Sequence, residues 1–386
     1  MFHLLTDNAQ QSQQPALRAV TNRIEAVGGI NMSQGKCALP VHPLVKAASV
    51  RAVQEGWNTA TLRNGTPLLR QEVILRAAKY NNLHFDLDQI AVTHGVTGAL
   101  EVLCRMFIQP GDEVVLFRPA FPYYERMVRL RGGVPKYVAL SGDDWTWELA
   151  ELEAAFSDKT KLVIFCTPSN PTGKVFNVEE LLEIGRLCHQ HDAIAISDEV
   201  YEYHMGEGKK HISLASLPHM FERTITLSSV SKTFYATGWR IGWAIGPAPV
   251  IEKFSIHSDQ LFLCANSVMQ HAAAYAYQDL PCGYFDDIPL AFNHRKRLLQ
   301  AALEKKGFRV QQPDGGYFLM ADYDGLGFEN DHVAVDALIA GANIGAAPGY
   351  SFEPAENSKS GYLRFSCAIT DLEMECAIQS LDNWTP

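Results

Sequence analysis

Short runs in which nearly every position is apolar recur along the first two-thirds of the chain, each ending in glycine, proline or hydroxyl residues. Ile90-Ala91-Val92-Thr93, Glu113-Val114-Val115-Leu116-Phe117, Lys161-Leu162-Val163-Ile164-Phe165-Cys166, Ala193-Ile194-Ala195-Ile196-Ser197 and Thr224-Ile225-Thr226-Leu227 are such runs. The β-branched Lys161–Cys166 run reads as a strand in a sheet covered on both faces. Helical patterns lie among them: Pro43 to Gly56, with proline near its start and glycine at its end, one opening at Leu68-Leu69-Arg70, one following the turn at Gly95, and one near Val178–Gln190. Strand alternating with helix predicts an α/β fold. From Asp279 onward the pattern changes to a charged helix over Asn293–Lys306, a hairpin-like Gly315–Met320, a helix over Val333–Ala340 and a strand over Gly361–Ser366, a compact α+β unit. Residues 1–28 are polar and Gln-rich, then helical around Ala16–Ala26. They read either as an arm lying on a partner subunit or across a site entrance, or as a frayed tail. The expected organisation is an N-terminal arm and part of a small domain over 1–42, a large domain over 43–280 and a small domain over 281–386.

Composition narrows the class. The 386 residues are 47% hydrophobic and 20% charged, as in globular soluble proteins, and exceed a usual single core. The formal charge of −10, with no basic run, argues against nucleic acid or an anionic membrane as partner. No apolar run reaches about 18 residues and no charged-then-apolar leader opens the chain, so neither membrane spanning nor export is expected, and the cytoplasm is the expected compartment. Eight cysteines without C-x-x-C spacing read as reduced, mostly buried thiols. His189-Gln190-His191-Asp192 reads as a solvated helix end rather than a metal site, and no metal is expected.

The candidate chemistry centres on Ser228 to Gly242, S-S-V-S-K-T-F-Y-A-T-G-W-R-I-G. A lysine among apolar and hydroxyl neighbours loses hydration, so its neutral amine becomes available to attack a carbonyl. Ser229 and Ser231 offer O–H donors to an anion and Arg240 a charge-assisted fork. Lys232 beside such a cradle suits pyridoxal phosphate, an aldehyde that carries a phosphate. Gly95, Val96 and Thr97 open a helix after a strand, where free N–H groups bind phosphate and glycine allows close approach. Phe121 and Tyr124 follow another strand, either as two core aromatics or where a flat aromatic stacks on a ring and excludes water. Asn170, between prolines 168 and 171, presents a preset amide. Asp198 ends a strand, where an ionised carboxylate can pair with a pyridine nitrogen, or alternatively cap a helix.

S-x-S-K-T-F-x-x-T-G-W-R-x-G resembles the cofactor-lysine segment of fold-type I pyridoxal-phosphate aminotransferases, within them the class I branch of kynurenine/glutamine and methionine aminotransferases. N-P-T-G at 170–173, D-E-x-Y at 198–201, P-G-x-x-F at 348–352 and L-R-F-S at 363–366 match in the same order. The resemblance implies a large domain with a mostly parallel sheet flanked by helices, plus a small α+β domain. It implies Lys232 as the Schiff-base lysine and catalytic base, and Ser229, Ser231, Arg240, Gly95, Val96 and Thr97 at the phosphate. It places Phe121 on the ring face, Asn170 and Tyr201 at the ring hydroxyl and Asp198 at the ring nitrogen. Arg364, Gly35 and Asn170 fall at the substrate carboxylate, with Tyr124 on the substrate side. The implied reaction transfers an amino group from an L-amino acid (apolar or aromatic, methionine or glutamine) to a 2-oxo acid, in a homodimer. One position departs: Ala60 stands where the family carries a tyrosine that reaches the neighbouring subunit's phosphate. Either Thr61 or Arg63 fills that gap, or the pocket is remade. The rival readings are a lyase or cyclase on the same scaffold and a cofactor-binding sensor, which the short, non-basic N-terminus disfavours.

Overall fold

The computed structural model describes residues 14–35, 37–354 and 359–386. Two compact units emerge, a larger one of Lys36–His294 with Pro313–Tyr317, and a smaller one built from the chain up to Gly35, Arg295–Gln312 and Phe318–Pro386.

The larger unit holds seven strands: β1 (Ile90–Thr93), β2 (Glu113–Arg118), β3 (Val134–Ala139), β4 (Thr160–Cys166), β5 (Ile194–Asp198), β6 (Thr224–Ser229) and β7 (Gly242–Ile245). Their order across the sheet is β1-β7-β6-β5-β4-β2-β3. The run from β6 to β3 is parallel, while β7 lies antiparallel between β1 and β6. Every residue of β1, β6 and β7 is buried, as is β4 apart from Lys161, which explains why these segments are apolar throughout rather than alternating. The flanking helices start where the sequence supplies caps. Thr66 accepts from the Leu69 amide ahead of Pro67–Asn81, and Asn177 and Glu180 form a reciprocal capping box for Val178–Gln190.

Parallel pairing brings strand ends to one edge. Cys166 stands opposite Asp198, and Asp198 opposite Leu227, so the C-terminal ends of β4, β5 and β6 are nearly level. The antiparallel β7 begins at the same edge, because Gly242 is paired with both Thr93 and Ser229. Two helices therefore start side by side there, Gly95–Phe107 after β1 and Val230–Thr233 after β6. Such an edge is where open α/β sheets bind ligands.

In the smaller unit, Arg309–Val310, Phe318–Asp322, Tyr362–Ser366 and Ala347–Pro348 form an antiparallel sheet. Ile30–Asn31 pairs in parallel with Ile344–Gly345. The helices Asp331–Ala342 and Asp371–Asn383 contribute Leu338 and Leu381 to a core with Leu319, Leu363 and Phe365, all fully buried. The fold is thus the α/β arrangement of fold-type I, with a mostly parallel sheet and a smaller α+β unit.

Three local expectations change. The helix expected over Asn293–Lys306 begins at Gly283 and ends at Glu304, with Pro289 inside it. Gly242, a glycine at the end of the Ser228–Gly242 stretch where a turn would be expected, is the first residue of a strand as well as a tight contact. The β3 segment gave no clear pattern because Pro135 and Lys136 interrupt it, as befits an edge strand. Among the described residues no helix is long and apolar enough to cross a membrane. None of the eight cysteines is in a disulfide; five are buried, and Cys282 and Cys376 are exposed.

A Cβ on Gly242 would stand 2.9 Å from both the Gly95 Cα and the Ser228 carbonyl oxygen. Backbone cannot yield there as a side chain does, so Gly242→Val should cost about 1–3 kcal/mol. Urea unfolding reads this as a lower midpoint at unchanged slope; an unchanged midpoint would contradict the packing.

Candidate active site

Six segments of the larger unit contribute to this site. The first two make an anion cradle. Gly95 starts a helix of 13 residues at φ +68°, and a Cβ there would lie 2.4 Å from Arg240 Nη2, so glycine is what lets the guanidinium lie against the helix start. Arg240 itself sits at φ +55°, with Nη1 on the Thr237 carbonyl at 3.2 Å and Nη2 on the His94 carbonyl at 3.4 Å. Burial lowers its pKa. From the other side, Ser229 caps the short helix by accepting from the Ser231 amide, and both serines are buried. The helix start at Gly95, Ser229, Ser231 and the Arg240 guanidinium thus lie at one sheet edge, a donor set suited to a phosphate. Val96 and Thr97 follow Gly95 in the first turn of that helix.

Lys232 lies in the short helix between two aromatic rings, its Nζ 5.7 Å from the Tyr201 centroid and 5.5 Å from that of Tyr317. Tyr201 and Tyr317 meet edge to face at 5.2 Å. Tyr317 was not singled out from the sequence. Its segment, Pro313–Tyr317, is held against the larger unit by close glycine contacts. Gly315 donates to the Gly173 carbonyl at 2.8 Å, Gly316 to that of His204 at 2.6 Å, and Gly206 to that of Asp314 at 2.6 Å. A Cβ on Gly315 would meet Pro168 at 2.7 Å and the His204 oxygen at 2.9 Å. The doublet Gly315-Gly316 was the available signal, but nothing local says which strand end it will meet.

At the end of β5, Asp198 is 4% exposed. Its Oδ2 accepts from the Tyr124 hydroxyl at 2.7 Å and its Oδ1 from the Val200 amide at 3.3 Å. Burial pushes the carboxyl up to about 6, against the pull of the Tyr124 and Val200 hydrogen bonds and the Lys232 charge. Tyr124, expected on the substrate side, thus has Asp198 as its partner, and burial raises its own pKa well above the ordinary value, so it remains a donor. Phe121 is half-buried, edge-on to Tyr124 at 5.6 Å and stacked on Tyr123 at 5.0 Å. Asn170 is buried in the turn after β4, where the Thr167–Pro168 and Asn170–Pro171 peptides are cis. That turn is tied down by the Ser169 amide on the Lys174 carbonyl at 2.8 Å and by the buried Lys174 ammonium on Glu180 at 2.7 Å.

Directly after the strand comes a second buried carboxylate, Glu199. It accepts from Ser197 and Ser213 hydroxyls at 2.7 and 2.9 Å and pairs with His211 at 2.8 Å. Burial alone would lower the His211 pKa; the neighbouring Glu199 and Glu202 carboxylates outweigh it and raise it.

In the smaller unit Arg364 is almost fully buried, donates from Nη2 to the Ser33 carbonyl at 2.6 Å, and lies 4.1 Å from the Phe318 centroid and 4.6 Å from that of Phe352. Gly35 follows two residues after that carbonyl. Ala60 is exposed; the Thr61 hydroxyl faces Gln270 Nε2 at 3.1 Å, and Arg63 is exposed. Among the described residues no cluster of His, Cys, Asp or Glu fits a metal ion. His189 and Asp192 are instead occupied by Arg223.

An amine, a buried carboxylate and an anion cradle at one sheet edge can hold a phosphorylated pyridine aldehyde: phosphate at the cradle, ring nitrogen at Asp198, carbonyl at Lys232. Comparisons with known proteins give the family. The model of aminotransferase class I and II matches residues 27–381. Kynurenine–oxoglutarate transaminase 3 of Rattus norvegicus is 36% identical over 327 residues, 80% of this chain and 72% of the relative. Among solved structures, YbdL from Escherichia coli, described with a methionine aminotransferase function, superposes with TM-score 0.93 at 25% identity, covering 98% of this chain and 99% of that one. The N-succinyldiaminopimelate aminotransferase of Mycobacterium tuberculosis gives TM-score 0.92 at 27% identity, with the same coverages.

A carboxyl whose pKa is raised on folding from 3.8 to about 6 binds a proton that the unfolded chain has released, so this group's contribution to stability falls as pH rises through that window. In the cofactor-free protein, Asp198→Asn should therefore gain on the order of 2–3 kcal/mol relative to wild type above pH 6. The gain should vanish below about pH 4. Thermal melts across pH test this; a pH-independent difference would contradict it.

Proposed function

The chain belongs to the aminotransferases of class I and II, pyridoxal 5′-phosphate enzymes, and on that premise we propose that it takes apolar or aromatic L-amino acids, methionine or glutamine as donors and a 2-oxo acid as acceptor. The observation that carries the reading is the Lys232 amine set between Tyr201 and Tyr317 in the unit that also buries Asp198.

When bound, pyridoxal phosphate supplies a carbonyl that condenses with amines and a ring that accepts the electron pair of the broken Cα–H bond. Gly95, Val96, Thr97, Ser229, Ser231 and Arg240 bind its phosphate. Asp198 keeps a proton at the ring nitrogen, and Tyr124 holds the carboxylate in place by its 2.7 Å hydrogen bond. A carboxylate whose burial pushes its pKa up to about 6 holds that proton more strongly than a solvated one would. Asn170 and Tyr201 orient the ring hydroxyl, and Phe121 covers a ring face and excludes water. Arg364 receives the substrate α-carboxylate in a guanidinium fork, a geometry lysine does not offer. With the cofactor bound, the Lys232 amine would take the proton from the substrate Cα and deliver it two atoms away, across the substrate nitrogen, to the carbon that carried the cofactor's carbonyl. No acidic or basic side chain among these is assigned to the substrate's own side chain, which favours uncharged donors. The sequence likeness to kynurenine transaminases and the structural likeness to a methionine aminotransferase support the same class.

A panel of donors against 2-oxoglutarate and 2-oxobutyrate should show a new amino acid and a new 2-oxo acid in equal amounts, fastest with methionine, glutamine or aromatic donors and slowest with aspartate. Ammonia release without acceptor consumption would instead establish the elimination chemistry that the same scaffold supports, and aspartate as the best donor would overturn the side-chain assignment.

A further inference from the structure

Asp331 is a buried carboxylate that the proposed mechanism does not use. It stands at the first turn of the helix Asp331–Ala342, capped by Asn330, and is fully buried. Four donors from three segments converge on it. Oδ1 accepts from the Tyr323 hydroxyl at 2.5 Å and the Ser360 amide at 3.0 Å. Oδ2 accepts from the Tyr350 amide at 2.7 Å and the Ser360 hydroxyl at 2.8 Å. With all four lone-pair directions used, hydrogen bonds and the helix start stabilise the charge.

What Asp331 holds leads to Arg364. The strand Ala347–Pro348 pairs with Tyr362–Ser366, with Ala347 opposite Arg364 itself. The chain then turns through the 3-10 segment Gly349–Phe352, whose Tyr350 amide is fixed on Asp331 and whose last residue sets its ring 4.6 Å from the Arg364 guanidinium. Ser360, two residues before the strand that carries Arg364, is fixed on the same carboxylate. The fit is tight: a Cβ on Gly349 would lie 2.1 Å from Ser360 Oγ, so only glycine lets the two segments close on each other. Phe352 is itself buried, so its ring has little freedom except that of the backbone that carries it.

We propose that Asp331 is a positioning residue for carboxylate recognition, holding Gly349–Phe352 and Ser360 so that Phe352 fixes the plane of the Arg364 guanidinium. This rests on the reading of Arg364 as the group that receives the substrate carboxylate. Both half-reactions present a carboxylate to the same arginine, so loosening it weakens donor and acceptor alike and leaves the cofactor untouched.

Asp331→Asn keeps the shape but puts an N–H₂ against donors, which removes at least two of the four bonds. In the cofactor-loaded enzyme it should raise KM for both methionine and 2-oxoglutarate about ten-fold, with a smaller change in kcat. It should weaken competitive inhibition by 4-(methylthio)butanoate, methionine without its amine, to the same extent, while cofactor affinity and visible absorbance stay as in wild type. Ser360→Ala, a milder change at a partly exposed position, should move KM and inhibition in the same direction by less. Arg364→Lys is measured alongside. If it weakens the inhibitor while Asp331→Asn and Ser360→Ala do not, the role of Asp331 is overturned and that of Arg364 stands. If Arg364→Lys itself leaves inhibitor and KM unchanged, the reading of Arg364 fails first. Should Asp331→Asn not fold, an unchanged KM in Ser360→Ala overturns the proposal.

Discussion

A carboxylate buried at the end of a parallel strand is the constraint on which the rest of the large unit depends. Asp198 sits where water cannot solvate it, and burial of a charge is costly unless something nearby answers it. The protein supplies a phenol at 2.7 Å, a backbone amide at 3.3 Å and the field of Lys232, and these do not cancel the cost: the carboxyl still titrates near 6. The Asp198 carboxylate therefore keeps part of its burial cost unanswered by the chain. On the proposed reading, a protonated pyridine nitrogen would answer that charge and, kept protonated, would draw electrons from the bound substrate.

Topology does the placing. Because β4, β5 and β6 run parallel, the Asn170 turn, Asp198 and the Ser229–Lys232 segment all leave the sheet at one edge. One reversed strand, β7, brings the helix start at Gly95 level with Ser229, through pairing of Gly242 to both Thr93 and Ser229. Glycines then set how closely the parts approach. Gly95 admits Arg240, Gly242 admits Gly95, and Gly315 admits the turn that carries Tyr317. In the smaller unit the same logic holds Arg364, where Gly349 lets two segments share one aspartate.

Much of this was legible in the sequence, for physical reasons that differ by residue. Strands buried on both faces announce themselves as unbroken apolar runs, so β1, β2, β4, β5 and β6 were readable, while edge strand β3, with Pro135 and Lys136, was not. Lys232, Asn170 and Asp198 stood out because each is a polar residue at the end of an apolar run, where burial makes polarity expensive and therefore informative. The Tyr124 bond to Asp198 was not readable, since an aromatic after a strand fits stacking, core packing or a hydrogen bond equally well. Tyr317 and Asp331 were missed for a related reason. Their roles come from chain segments that meet them only after folding, and their local sequence carries no period or spacing that names the partner.

The account turns on one amine. Borohydride reduction of the cofactor-loaded protein, followed by proteolysis and peptide mapping, tests it most directly. The pyridoxyl group should be found on Lys232 in a single modified peptide. Its recovery on another lysine, or no stable label at all, would contradict the site as described.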